Sequence, residues 1–370
     1  MMKNLIWILV ILFYSCSAGH QNNVERLVEY DSIVVPIDYP YISDYVQTHC
    51  YTNGDTVFLM GYNHWNHAVD LIDVSSGKSN RSIVFEKEGD NGVATLCSAG
   101  YQVGNNFVVE EMTGMKLVSS VGKVLRNIPL VDVVDPSTSY RYSIAQRGMS
   151  PGNYKDFACW QKGQTCYVPL TPLEDGKLEN FSIGAKVNLS NGGVELLECT
   201  FPEPYAELDN PKGTYSRPQF TVMDADRIIF NFWGNSHFWI YDLTAQTLIK
   251  KDMPSRFTAN QVPFADLSTN LKGLFEFEFL SLRFREVHYV SSLQMFVRIH
   301  HAPKKEIQDN SNKHYLMLMN EQNGKYMEYL LPPVFSGRYF LYETSLYFLY
   351  RGSSDSEIRL GVLDLSALDF

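Results

Sequence analysis

The residues best equipped for chemistry fall in four short stretches. His64-Trp65-Asn66-His67 sets two imidazoles around an indole. On a helix that spacing could bring both rings to one metal. Here the stretch lies between two strand-like runs, where the rings do not converge, and no acidic residue alongside supplies a third ligand. The residue types fit a turn held by ring packing and capping hydrogen bonds, and the functional reading is Trp65 as a shelf for a sugar ring or a cation. Glu88-Gly89-Asp90-Asn91-Gly92 carries oxygen ligands of the kind Ca²⁺ prefers. It lacks the longer ladder ending in glutamate that an EF-hand uses, and its glycines are those of a tight turn. No metal and no cofactor is assigned.

In residues 231–242, Trp233 and Trp239 surround a Gly234-Asn235-Ser236 turn. A hairpin with aromatic cross-strand pairs explains most of this stretch. If the turn sits on the mouth of a ring-shaped fold, Trp233 and His237 face its central funnel. From 281 to 289 the sequence alternates. That places Arg283 and Arg285 on one strand face and Phe284, Glu286 and His288 on the other. Two arginines on one face of an acidic chain either pair with carboxylates, Glu276 and Glu278 being the nearest, or clamp an anionic ligand bidentately. Arg298 and His300 pose the same choice on a neighbouring strand. The candidate ligand-binding residues are therefore Trp65, Trp233, His237, Arg283, Arg285, His288, Arg298 and His300. No catalytic residue is assigned, because GxSxG, HExxH, P-loop and GxGxxG patterns are all absent. A carboxylate pair for glycoside hydrolysis meets only in space and leaves no local motif, so a hydrolase or lyase working in the funnel is the alternative to a binding module.

Residues in these roles need a scaffold, and the periodicity describes one. "DTVFLMGY", "NNFVVEEM", "DRIIFNFW", "LQMFVRIH" and "TSLYFLYR" are short apolar or alternating runs that follow turn residues, as strands do. Each is followed by a second strand ending in Asp or Asn, such as "AVDLIDVSSGK" or "YLMLMNEQNGK", and then by a third. The Asp or Asn side chain bonds its own backbone and starts the turn. A hairpin-rich unit of this size, repeated from end to end, is expected to form a β-propeller, in which radial packing buries the sheet faces and leaves only short edges. Strand clusters fall at 50–88, 93–131, 139–203, 215–254, 283–335 and 336–366, giving six blades, with seven as the alternative. The remaining N-terminal run "ERLVEYDSIVVPI" is expected to pair beside "EIRLGVLDL" and close the ring.

The charge is −10, from 41 Asp and Glu against 31 Lys and Arg, with no basic cluster, so nucleic acid is an unsuitable partner. Cys159 and Cys166 flank Lys162-Gly163, a turn that would set the two thiols opposite one another, so they are the best disulfide candidates among the cysteines. At the N-terminus, Lys3 precedes an apolar run, Leu5 to Tyr14, that is long enough for a signal h-region and too short to span hydrocarbon. Ser15-Cys16-Ser17 after that run resembles the lipobox of bacterial lipoproteins, in a form similar to that of Bacteroides-type bacteria. The resemblance implies a signal peptide over 1–15, lipidation of Cys16 and a polar tether over 16–23; the repeat then makes 24–370 a single propeller domain.

"IVFEKEGDNGVATL" (83–96), "YSRPQFTVMDADRIIF" (215–230) and "FREVHYVSSLQMFVRIHHAP" (284–303) resemble segments of DUF4221, a Bacteroides-group lipoprotein family, and the chain is also similar to six-bladed TolB-like lipoproteins. The Glu-Gly-Pro-Asn-Gly-Val-Gly type loop of that family is matched by Glu88 to Ala94, with Asp90 and Ala94 departing. The resemblance implies the propeller and the anchor, and no catalytic residues. The expectation is a cell-envelope β-propeller, held to the outer membrane by lipid, with the periplasmic face preferred over the cell surface. It would bind or scaffold a partner protein or a small ligand such as a glycan or peptide. A purely structural envelope subunit is the third reading.

Overall fold

The computed structural model describes residues 27–36, 45, 48–76, 78–94, 102–111, 113–144, 158–160, 165–210, 218–262, 280–304, 313–350 and 356–368. Among the described residues the hydrogen-bonded ladders form seven antiparallel sheets: six are the blades of a six-bladed β-propeller, and the seventh is the short pair of Gly176–Lys177 with Asp209–Asn210. Blade 1 runs, from the axis outward, Thr48–Asn53, Thr56–Asn63, Ala68–Asp73 and Lys78–Val84. Blade 2 is Gln102–Val103, Asn106–Glu111, Gly114–Ser119 and Val124–Pro129. Blade 4 is Pro218–Val222, Arg227–Phe232, His237–Asp242 and Thr247–Asp252. Blade 5 is Arg283–Val290, Met295–His301, His314–Asn320 and Tyr326–Leu330.

Blade 3 departs from the meander. Its inner edge is made of two pieces, Arg141–Ile144 and Ala158–Trp160, which pair with opposite ends of Thr165–Pro172. Cys159 and Cys166 do stand opposite one another in that ladder. Cys166 is buried in the apolar cluster between blades. The Lys162-Gly163 turn and the Cys159 side chain lie outside the described residues.

Blade 6 closes the ring. Phe335–Tyr342, Ser345–Tyr350 and Glu357–Asp364 come from the C-terminus, and Asp31–Pro36 from the N-terminus adds as the outermost strand. Ile33 pairs with Leu360 and Val35 with Ile358, the closure expected from the sequence. Val35, Leu349, Ile358 and Leu360 are all buried together, so this seam is sealed by apolar contact as well as by the ladder. Each fully buried side chain of this kind contributes about 1.5–3 kcal/mol relative to exposure. Gly361 permits the close approach of the neighbouring strand, since a Cβ there would meet the Phe348 ring at 2.1 Å.

Two local devices make the blades. The strand faces alternate into five apolar clusters that lie between successive blades around the ring. The outer turns are set by Asp or Asn. Asp73 Oδ1 accepts from the N–H groups of Ser75 and Ser76 at 2.8 and 3.0 Å. Asp242 does the same with Thr244 and Ala245, Asn188 with Ser190 and Asn191, and Asn320 with Gln322 and Asn323. Such Asx turns compete with the ladder and end each third strand at the same height.

Candidate functional site

Because every blade winds in the same direction, the turns between second and third strands all emerge at one end of the ring. So do the connections from one blade to the next. Trp65, Trp233, His237 and the 86–93 loop are in those segments, and Arg283, Arg285, Arg298 and His300 lie on the strand ends beside them. Seven of the eight candidates, Trp233, His237, Arg283, Arg285, His288, Arg298 and His300, belong to blades 4 and 5. Trp65 stands apart on blade 1.

The inner strand of blade 5 does not keep the alternation expected of it. Its pairing with Met295–His301 shifts register between Phe284 and Val287. The bulge puts Phe284 and Val287 on one face, in the cluster facing blade 4. Arg285, Glu286 and His288 turn toward blade 6. There Arg285 Nε donates to His301 Nε2 at 3.0 Å and Nη2 to the Gly337 carbonyl at 3.3 Å. Tyr339 donates to Glu286 Oε1 at 3.1 Å, and His288 Nε2 lies 3.5 Å from the same oxygen. Blade 6 carries a matching irregularity between Phe335 and Tyr339, where Gly337 takes a φ of 91° that only glycine adopts freely. Arg283 therefore does not share a face with Arg285 in the simple sense; it lies over the Trp233 ring, 5.4 Å from its centroid. Burial, and then the Arg285 charge, bring its pKa down to about 9, so it remains a cation at neutral pH. Glu276 and Glu278 lie outside the described residues.

Trp233 is not a surface residue. It continues the face of Ile229 and packs in the cluster between blades 4 and 5, 5% exposed. His237 is half-buried beside it, with Nδ1 2.9 Å from Asp252 Oδ1 on the next strand. Arg298 is completely buried. Its guanidinium donates to the carbonyls of Arg285, Ser236 and Asn235 at 2.9, 2.6 and 3.0 Å and lies over the Phe284 ring. It clamps the blade 4 turn onto the blade 5 bulge, using the planar fork that lysine lacks.

His300 faces a carboxylate that the sequence reading did not pair with it. His300 Nε2 lies 2.8 Å from Glu328 Oε1, which also accepts from Ser255 Oγ at 2.7 Å. Glu328 Oε2 accepts from the Arg256 N–H at 2.7 Å and from Tyr326 Oη at 2.9 Å. The Tyr315 ring stacks with both His300 and Phe257, at 4.9 and 5.1 Å. Burial opposes ionisation of Glu328, but the hydrogen bonds from His300, Arg256 and Ser255 outweigh it and hold the carboxyl below its ordinary range. Burial also lowers His300, so the pair is a carboxylate and a neutral imidazole at pH 7. His301 is lowered much further, by burial and then by His314 and Arg285. The signal for Glu328 was present: an acid stands in "KYMEYLL", among residues that otherwise read as a strand against the core.

On blade 1 the His64–His67 turn is built as a rigid unit. Asn63 Oδ1 accepts from the N–H groups of Trp65 and Asn66, both at 3.2 Å, while its Nδ2 donates to Asp70. Asp70 is buried and also accepts from Tyr45 and Ser82; burial raises its pKa against those bonds. His67, at a φ of 52°, is bonded through both ring nitrogens, to Tyr62 Oη at 2.8 Å and to the Val93 carbonyl at 2.9 Å. Of the two imidazoles of the motif, His67 is taken up by the fold, and the His64 ring lies tilted against Trp65 at 4.9 Å. Trp65 is 75% exposed. Away from this end, an open cleft of about 580 Å³ marks the outer wall where Leu27–Asp31 crosses from blade 5 to blade 6.

Comparison with known proteins places this architecture. A Bacteroides vulgatus protein of the DUF4221 family is similar over 91% of this chain and 98% of its own, at 14% identity and a TM-score of 0.71. A Bacteroides fragilis "putative exported protein" matches over 92% and 96%, at 10% identity and a TM-score of 0.52. A TolB candidate from Agrobacterium tumefaciens covers 90% and 99% at 10% identity, with a TM-score of 0.43. No curated protein matches the chain. The family model described as "Domain of unknown function (DUF4221)" matches residues 24–323, and the chain belongs to that family.

Proposed function

We propose that this protein is a lipid-anchored envelope β-propeller that binds or scaffolds a partner at the end of the ring carrying the second-to-third-strand turns. The observation that supports this most is the way the polar groups at that end are held. Arg298 donates to three carbonyls, Glu328 accepts from four donors, and His67 is bonded through both ring nitrogens. These are groups fixed in place rather than groups poised to move a proton. His300 and Glu328, the closest imidazole–carboxylate pair among the described residues, are both fully buried at the side chain, while the partly exposed pair His237 and Asp252 joins neighbouring strands of blade 4. A rigid surface with such an interior suits recognition, because little ordering is left to be paid on binding.

The anchor rests on Cys16 and the apolar run before it, which lie outside the described residues. Cys16 as the lipidated residue, the outer membrane as its site and the periplasmic side as its face are the reading those residues support. The partner is an envelope protein or a small ligand, glycan or peptide. The test is capture of the native lipoprotein from detergent-solubilised envelope, with bound proteins and glycans identified by mass spectrometry. Recovery of a specific partner, together with acyl-modified Cys16 at the mature N-terminus, is the expected result. A non-lipidated pool in the cytoplasm, or no specific partner under conditions that keep the fold intact, would overturn it.

A further inference from the structure

Among the described residues Trp65 is the most exposed large apolar side chain, and it stands on a rigid turn. Its turn is closed beneath it by Asn63 and His67, so the indole stands 75% exposed on a fixed base and is not folded back onto the protein. His67 also ties a second element to the same spot. The Phe85 N–H donates to the His67 carbonyl at 2.9 Å, and the Val93 carbonyl meets His67 Nε2 at 2.9 Å. Both ends of the 86–92 loop are therefore fastened to a residue two positions from Trp65. The loop is locked internally by Gly92 N–H to Gly89 and Val93 N–H to Glu86, and from outside by Lys116 Nζ on the Gly92 carbonyl at 2.5 Å. Fixing the loop this way leaves Glu88 and Asp90 exposed at its tip.

We propose that Trp65 and the Glu88–Asp90 tip form a carbohydrate-binding site for an uncharged pyranose ring. The indole would carry the apolar face of the sugar, and the two carboxylates would accept from its hydroxyls. This deepens the binding-module reading and rests on it. A protein partner fits the surface less well. Trp65 is flanked by His64 and Asn66, and the loop beside it reads Glu86-Lys87-Glu88-Gly89-Asp90; Val84, 61% exposed and paired with Ala68, is the large apolar side chain exposed just before that loop, so the surface there is mostly polar. An anionic sugar would meet the two carboxylates with the wrong sign. A quaternary ammonium ligand would want several aromatic walls around the cation, and the stretch offers the indole and one tilted imidazole.

The experiment is a glycan array of neutral, sialylated and sulfated oligosaccharides probed with the full-length protein and with Trp65→Ala, followed by fluorescence titration with the best neutral oligosaccharide. The result expected is retention of one or more neutral glycans, with affinity about tenfold weaker or worse in Trp65→Ala and several-fold weaker in Glu88→Gln and Asp90→Asn. Trp65→Tyr, which keeps a stacking ring, is expected to keep part of the affinity and guards against a folding defect in the alanine variant. Retention of no neutral glycan, retention of acidic glycans alone, or equal binding by Trp65→Ala overturns the site. A partner protein whose capture survives Trp65→Ala would leave the binding-module reading standing while the carbohydrate site falls; a partner protein lost with Trp65 would make the indole a protein contact and overturn it too.

Discussion

Glu328→Ala removes one side chain and strands four donors. Ser255 Oγ, His300 Nε2, the Arg256 N–H and Tyr326 Oη all converge on its carboxylate within 2.7–2.9 Å, and the residue is 6% exposed. Two of the donors, Ser255 and Arg256, belong to the connection from blade 4 to blade 5, so the carboxylate ties that connection to the outer strand of blade 5. The hydroxyls can rotate toward other acceptors, but the backbone N–H of Arg256 cannot. A hydrogen bond to a buried charge is worth about 1.5–3 kcal/mol, and the loss is not the sum of four because the hydroxyls and water recover part of it. The substitution is therefore expected to cost about 3–5 kcal/mol, a large share of the roughly 5–15 kcal/mol that stabilises a domain. Glu328→Gln gives the contrast. Its oxygen can serve Arg256 and Tyr326, and its amide can donate to Ser255 Oγ and to His300 in the other tautomer, so about 1–2 kcal/mol is expected. Urea denaturation followed by circular dichroism at pH 7 measures both. A loss below 1 kcal/mol for the alanine variant, or a glutamine variant as damaged as the alanine one, would refute the account of Glu328 as a four-fold acceptor.

Other consequences follow from the same interior. Arg298→Lys keeps the charge but cannot serve the carbonyls of Arg285, Asn235 and Ser236 at once, and a loss of about 3 kcal/mol is expected by the same assay; a near-neutral result would count against the clamp. His237, His300 and His301 are bases whose folded pKa values lie below the ordinary 6.5. The unfolded chain therefore takes up protons first as pH falls, so their contribution is full above about 6.5 and is lost progressively below it. Glu328, an acid held below its ordinary 4.5, adds a second loss at lower pH, which begins near 4.5 as the unfolded chain takes up the proton and is complete once the folded carboxyl protonates too. The denaturation midpoint should fall between pH 7 and pH 5, less steeply in His301→Gln; a flat profile in that window would contradict the burial of neutral imidazoles.

The parts of this molecule that depend on short-range pattern could be read from its sequence. Hairpins announce themselves by alternation, and the third-strand turns by Asp73, Asn188, Asp242 and Asn320, because an Asx side chain acts on the backbone two and three residues away. The pairing of Asp31–Pro36 with Glu357–Asp364 was also legible, since a ring with one unpaired strand at each terminus has one economical way to close. What the sequence could not show is where alternation breaks. The bulge after Phe284 inserts one residue and reassigns Arg285, Glu286 and His288 to a different neighbour from the one an unbroken strand would give them. Nor could it show the partners of His300 and Arg298, which lie 28 residues away at Glu328 and 62 residues away at Ser236 and meet only through blade packing. Trp233 looked like a surface aromatic because it borders a turn, yet its parity with Ile229 puts it in the core.

Ring closure supports everything said here about which residues share one end of the molecule, and it can be measured directly. Val34 and Arg359 are paired across the seam between the two termini, and both side chains are substantially exposed. With cysteine at both positions, mild oxidation of the folded protein followed by peptide mapping should recover the 34-containing peptide joined to the 359-containing peptide in high yield. Each single variant should give none. Failure of the double variant to cross-link while it remains folded and its two thiols remain accessible, or a link from position 34 to another strand, would contradict a six-bladed ring closed by its own N-terminus.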